Sequence, residues 1–223
     1  MISYGKQSID QSDIDSVVSV LKSDFLTQGK QVSIFEQCLT DYTGSKYGVA
    51  VNSGTSALHI ACLALGVGKG DSVWAPAISF VASSNCALYC GADIDFVDVD
   101  TTSGNIDIES LLEKLNKTDK QKLPKAIVVV HMAGNPCDLE AIYNLVQPFN
   151  IKIIEDASHA LGGEYKNKKI GSCEFSDITT LSFHPVKIIT TGEGGMSLTN
   201  SKVLSDKMRL LASHGITKDK NIM

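Results

Sequence analysis

Lys187 lies in Ser-Phe-His-Pro-Val-Lys-Ile (182–188), a polar loop between two strand-like runs, and is followed by Thr-Thr-Gly-Glu-Gly-Gly (190–195), which wraps backbone closely around it. A lysine in a polar loop is ordinarily a solvated surface charge; as a Schiff-base nucleophile it must lose its proton readily, which desolvation or a neighbouring cation promotes. Upstream, the apolar run 151–155 ends on Asp156 in Ile-Ile-Glu-Asp-Ala-Ser-His (153–159). That is where ligands collect in open parallel sheets, and also where aspartates simply cap the next helix. Further upstream, Ser-Gly-Thr-Ser (53–56) follows a strand and opens a helix, presenting N–H groups and the positive dipole end to an anion or forming an ordinary cap.

None of the three is specific alone, but the ordered set matches the parts of pyridoxal 5'-phosphate. Lys187 answers to the aldehyde, Asp156 to the ring nitrogen, and the turn at Gly54 with Ser182 to the phosphate. A carboxylate beside the pyridine nitrogen keeps it protonated and makes the ring an electron sink.

The positioning elements follow from the pattern. Short β-branched runs at 47–51, 72–75, 93–97, 126–131, 151–155, 178–183 and 195–198 alternate with helical spacing at 55–65, 80–90, 108–115, 139–146 and 201–212. This predicts an α/β fold with a mainly parallel seven-stranded sheet covered by helices on both faces. Before it, residues 1–44 read as a helical segment packing on a large domain spanning 45–223: Asp10 or Ser12 caps a helix reaching Lys22, a loop Phe-Leu-Thr-Gln-Gly (25–29) follows, and Val32, Phe35, Leu39 and Tyr42 stripe a second helix. The stretch 114–125 reads as a solvated helix end and turn. The stop at Asn221, Ile222 and Met223 without a closing strand or helix reads as the loss of a smaller C-terminal domain.

The 223 residues carry a formal charge of −5, are 43% hydrophobic and 20% charged, and suffice for a substantial core. All but one of the 20 basic residues are scattered lysines, which argues against nucleic acid. No stretch approaches a membrane span, and residues 1–6 lack a signal core. The six cysteines (Cys38, Cys62, Cys86, Cys90, Cys137, Cys173) form no Cys-x-x-Cys or Cys/His ligand spacing and read as reduced thiols without metal, so the cytoplasm is the expected compartment. Cys86 and Cys90 are one helical turn apart, and Cys173 in Gly-Ser-Cys-Glu is the candidate to check for cysteine-based chemistry.

Seven segments together resemble the sugar-nucleotide aminotransferases of the DegT/DnrJ/EryC1/StrS family: Phe-Leu-Thr-Gln-Gly (25–29), Asn-Ser-Gly-Thr-Ser-Ala-Leu (52–58), Pro-Ala-Ile-Ser-Phe-Val-Ala (76–82), Glu-Asp-Ala-Ser-His-Ala (155–160), Ser-Phe-His-Pro-Val-Lys (182–187), Gly-Glu-Gly-Gly (192–195) and Ser-His-Gly (213–215). The resemblance covers essentially the whole chain and implies the aspartate-aminotransferase fold, pyridoxal phosphate as cofactor, and a homodimer whose active sites are shared between subunits. By position it implies that Lys187 links covalently to the cofactor, Asp156 pairs with the ring nitrogen, His159 lies close to the ring, Phe80 stacks on it, and Gly54, Thr55, Ser56 and Ser182 hold the phosphate. Lysine at 187, where a dehydrating branch of the family has histidine, implies transamination. The His-Pro-Val-Lys context resembles most the branch of pseudaminic acid biosynthesis that aminates C4 of a UDP-linked 4-keto-6-deoxy-N-acetylhexosamine with L-glutamate. Branches making perosamine, 4-amino-arabinose or 3-amino sugars share the core, and a catalytically silent regulatory member is the alternative of another class.

Thr27, Gln28 and His184 are the candidates for contacts to the substrate, with loop closure as the plainer reading of Thr27 and Gln28. Arg209, the only arginine, is either a clamp for an α-carboxylate or a packing residue of the last helix. His59 and His131 read as packed or capping histidines, and His214 as a cap on that helix or a neighbour of the site.

Overall fold

A computed structural model describes residues 5–216; the chain stop at 221–223 and residues 1–4 lie outside them. Helices α1 (Gln11–Leu21) and α2 (Lys30–Thr43) lead into β1 (Tyr47–Val51), α3 (Gly54–Ala64), β2 (Ser72–Pro76), α4 (Ala82–Tyr89), β3 (Asp93–Val97) and α5 (Ile108–Lys117). There follow β4 (Ala126–Val130), α6 (Leu139–Val146), β5 (Lys152–Asp156), the short strands β6 (Glu164–Tyr165) and β7 (Lys168–Lys169), β8 (Ile178–Ser182), β9 (Gly195–Thr199) and α7 (Lys202–Ala212).

Seven strands form one sheet in the order β1-β9-β8-β5-β4-β2-β3. β9 is antiparallel to both neighbours, and the remaining pairs are parallel, so six strands share one direction and β9 runs against them. β4, Ala-Ile-Val-Val-Val, shows why both faces are covered. Ile127 and Val129 enter one apolar cluster with Leu111, Leu139 and Ile142, while Ala126, Val128 and Val130 enter another with Leu58, Ala61, Cys86 and Met208. Side chains alternate across a strand, so a fully apolar strand requires helices on both sides. α5 and α6 supply amphipathic stripes from one side. α3 packs from the other with Ala57, Leu58, Ile60, Ala61, Cys62 and Ala64 all buried.

All seven predicted strands form, with shifts at their ends. The fifth runs one residue later than expected, which makes Asp156 its last residue. The fourth and sixth stop one residue short, leaving His131 and Phe183 in turns. Helix α4 begins at Ala82 instead of 80, so Phe80 and Val81 stay in the preceding exposed turn. The stripe on α2 is only half right: Leu39 is buried and Phe35 packs edge-on against Phe183 at 5.1 Å, but Val32 and Tyr42 are exposed. Asp10 caps α1 through the N–H groups of Ser12 and Asp13, yet that helix buries none of its residues. The β6–β7 hairpin escaped prediction because its turn places Lys166 and Asn167, not glycine, at positive φ.

Candidate functional site

Because six strands point the same way, the residues following β1, β4, β5 and β8 and those preceding β9 meet at one edge of the sheet. They line a cleft of about 300 Å³: Ser53, Gly54 and Thr55 after β1, His131 and Met132 after β4, Asp156, Ser158 and His159 at the end of β5, Ser182, His184 and Lys187 after β8, and Glu193 and Gly194 before β9. Leu58, Phe80 and Val186 supply apolar wall.

Lys187 is held by its loop. Its N–H donates to the carbonyl of His184 at 2.8 Å, Thr190 and Thr191 both turn back onto the carbonyl of Phe183, and Phe183 itself is fully buried. The amine Nζ lies 2.9 Å from Nε2 of His159. Burial lowers the Lys187 pKa, and the opposing pull of Asp156 does not cancel it. Burial also lowers that of His159, helped by the Lys187 charge and opposed by Asp156. Burial therefore disfavours a proton on the amine, as a nucleophilic lysine requires, and the Lys187 charge disfavours one on the ring.

Asp156 is buried and accepts three hydrogen bonds: from the Ser83 hydroxyl on Oδ2 at 2.7 Å, and from the Ser158 hydroxyl at 2.6 Å and N–H at 3.2 Å on Oδ1. An ionised carboxyl group has about four acceptor positions, so one remains for a ligand. At the opposite wall Ser53 caps α3, its hydroxyl accepting from the Ser56 N–H at 3.1 Å and its carbonyl from Ala57. The first-turn N–H groups of Gly54 and Thr55 are left for an anion. A Cβ on Gly54 would come within 2.8 Å of the Ser182 Cβ, so only glycine lets the helix start meet that serine. A half-buried amine, a carboxylate with a free acceptor position and an anion cradle around one cleft fit pyridoxal phosphate.

Of the predicted site residues, Lys187, Asp156, His159, Ser182, Gly54, Thr55, Phe80 and His184 line this cleft. Ser56 does not; its N–H and hydroxyl are used within the cap. Thr27 and Gln28 lie in the exposed loop between α1 and α2, away from the cleft lining. His214 is exposed beyond α7. Arg209 is a packing residue: its guanidinium makes a two-pronged pair with Glu36 and donates to the carbonyl of Gly48, joining α7, α2 and β1. Cys173 is buried against Thr179, and burial, with the Glu155 charge, pushes its thiol up to about 12, which removes it as a nucleophile. Among the described residues no group of His, Cys, Asp and Glu is arranged to hold a metal, and no helix is long and apolar enough to cross a membrane.

Two contributors were not singled out in the sequence: Ser83 and Ser158, which hold the carboxylate. His131 is packed, as its sequence reading has it, with Nε2 meeting Glu155 at 2.9 Å, and it also forms a cleft wall. Ser158 carried a local signal, since a serine two residues after an aspartate closes a turn onto it. Ser83 carried none, being 73 positions from its partner.

One edge of a mainly parallel α/β sheet thus brings this amine, carboxylate and anion cradle together. The sequence matches the DegT/DnrJ/EryC1/StrS aminotransferase family over residues 7–223, and the chain belongs to that family. It is 48% identical over 220 residues to the UDP-4-amino-4,6-dideoxy-N-acetyl-beta-L-altrosamine transaminase of Campylobacter jejuni, a match covering 98% of this chain and 56% of that protein. It is 39% identical to the GDP-perosamine synthase of Caulobacter vibrioides, over 96% of this chain and 56% of that one. Among solved structures, Helicobacter pylori PseC, an aminotransferase of pseudaminic acid biosynthesis, superimposes with a TM-score of 0.89 at 38% identity, covering 98% of this chain and 57% of its own. The chain thus spans little more than half the length of these relatives.

Proposed function

We propose that this chain carries the cofactor-binding part of a pyridoxal-phosphate-dependent aminotransferase that moves the amino group of L-glutamate to C4 of a UDP-linked 4-keto-6-deoxy-N-acetylhexosamine, forming UDP-4-amino-4,6-dideoxy-N-acetyl-β-L-altrosamine for pseudaminic acid. The observation that carries the reading is the Lys187 amine, kept short of its ordinary basicity beside His159, in the same cleft as Asp156 and the α3 cradle. The similarity to the Campylobacter transaminase supports the choice of sugar and of UDP.

Bound pyridoxal phosphate supplies an aldehyde and an electron-withdrawing ring. The chain's own residues do the rest. With the cofactor bound, Asp156 would hold a proton at the ring nitrogen, Gly54, Thr55 and Ser182 would anchor the phosphate, and Phe80 would lie against the ring. Lys187 Nζ would be the base that takes and returns the proton at the donor's α-carbon. His184 contacts the sugar nucleotide from the cleft wall, while Thr27 and Gln28 rest on their motif alone. Residues 45–223 are read as the cofactor domain, and among the described residues the segment before it attaches through α2, where Phe35 meets Phe183. The exposed apolar side chains flanking the cleft, including Ile78, Phe80, Val81, Val186, Ile188 and Ile189, support a homodimer that covers them.

Incubation with pyridoxal phosphate, borohydride reduction and peptide mapping tests the site: label on Lys187 is expected, and label confined to other lysines sinks the proposal. A full-length protein assayed with glutamate against UDP-, GDP- and dTDP-linked keto sugars tests the substrate; preference for a GDP-linked sugar would redirect it to the perosamine branch.

A further inference from the structure

We propose that Ser83 is a positioning residue that fixes the direction of the free acceptor position on Asp156 Oδ2, the position that meets the cofactor's ring nitrogen. The inference rests on the reading of the cleft as a pyridoxal phosphate site and adds to it a residue that touches neither cofactor nor substrate.

A serine in the first turns of a helix ordinarily turns its hydroxyl back to a carbonyl one turn earlier or out to water. Ser83 does neither. It is fully buried, and its hydroxyl leaves α4 to donate to Asp156 Oδ2 at 2.7 Å, the only side-chain bond in the described residues from α4 to β5. Such a bond to an ionised acceptor is among the stronger kinds. The distribution of donors is uneven. Oδ1 takes both bonds from Ser158, at 2.6 and 3.2 Å, whereas Oδ2 takes the one from Ser83. With two acceptor positions on each oxygen, Oδ1 is filled and the vacancy belongs to Oδ2. Ser83 fills the other half of that oxygen and so fixes the direction of the free position. It also stands one turn after Phe80, whose carbonyl accepts the Ser83 N–H at 3.0 Å. One residue therefore links the carboxylate to the turn carrying the aromatic wall.

A plainer role, filling space between α4 and β5, predicts that loss of the hydroxyl would weaken every ligand of the cleft alike. Positioning predicts that only a ligand with a ring nitrogen suffers. The experiment titrates the full chain, as wild type, Ser83→Ala and Ser83→Thr, with pyridoxal phosphate and with its 1-deaza analogue, in which a C–H replaces the ring nitrogen. Urea unfolding of each cofactor-free protein is measured alongside. Ser83→Ala should raise the Kd for pyridoxal phosphate about tenfold, the scale of one charge-assisted hydrogen bond. It should leave the Kd for the deaza analogue within about twofold, and Ser83→Thr, which restores the hydroxyl, should return the pyridoxal phosphate Kd to within about threefold of wild type. Equal losses for both ligands, or no loss for either, overturn the proposal. If Ser83→Ala does not fold, Ser83→Cys, a weaker donor, reads the same difference at smaller size. Failure of the wild type to bind either ligand strikes instead at the cofactor reading.

Discussion

Glu155 and Asp156 are consecutive residues of β5, both buried, and they are used in opposite ways. On one side of the strand Glu155 is sealed: the His131 ring at 2.9 Å, the Thr179 hydroxyl at 2.9 Å and the Ser176 hydroxyl surround it, and the Cys137 N–H fixes the far side of that ring by donating to Nδ1 at 3.1 Å. Burial alone would raise the Glu155 pKa, but His131, Ser176 and Thr179 outweigh it and hold the carboxyl below its ordinary range. On the other side Asp156 is held by Ser83 and Ser158 and keeps an acceptor position facing a cleft. Each carboxylate accepts three hydrogen bonds, so the difference lies in what the fourth acceptor position meets. Glu155 is enclosed by its protein partners, whereas Asp156 opens onto the cleft beside a half-buried amine and is placed for a ligand.

The largest effect expected concerns the amine that separates the two environments. In a full-length protein, Lys187→Ala should lower transamination by at least about 10,000-fold while the urea midpoint stays near wild type; retained turnover would remove Lys187 from the chemistry. Exchanging the damage between the neighbours comes next. Asp156→Asn should weaken pyridoxal phosphate binding about a hundredfold and change stability by less than about 1 kcal/mol. Glu155→Ala, which strands His131, should cost roughly 3–5 kcal/mol in urea unfolding. A large stability loss at Asp156 and none at Glu155 would invert the distinction.

Acid sharpens it. Glu155 has a folded pKa below the unfolded value of 4.5, so its contribution is complete above that pH and disappears as the pH falls through the folded value. Glu155→Gln should flatten this acid limb in stability curves, whereas an unchanged limb would show that the pair contributes nothing there. At Lys187 the sign is reversed in charge. Its lowered pKa leaves a neutral amine below the ordinary 10.5, so acetylation of Lys187 should reach its midpoint below that pH, and lower still in Asp156→Asn, which loses the carboxylate that opposes the shift. The smallest effect lies far from the cleft: Arg209→Ala, removing a half-exposed pair, should cost about 1 kcal/mol or less and leave the pyridoxal phosphate Kd unchanged. A change in that Kd would return Arg209 to the site.

The contrast also marks what a sequence discloses. Asp156 and Gly54 were legible because each sits where an element starts or stops, and Lys187 because its loop lies between two strand-like runs; the period of the apolar residues locates those places. Phe80 was found by its motif, though its turn was misread as helix. Ser83 and the His131–Glu155 pair were not legible, since nothing local tells a serine on a helix or a histidine at a strand end which distant residue it will face. The exposure of Val32 and Tyr42 on α2 was hidden for a related reason: periodicity gives an apolar stripe without saying how much of it finds a partner in this chain.

β9 is the latest strand among the described residues, yet it lies between β8 and β1, and Val51 pairs with Gly195. During synthesis β1 leaves the ribosome with its sheet edge unmatched and waits on the order of ten seconds for that partner to emerge. Chaperone dependence or aggregation of nascent chains should therefore concentrate in the interval before β9 appears. Until then the loop bearing Lys187 has only one of its two flanking strands.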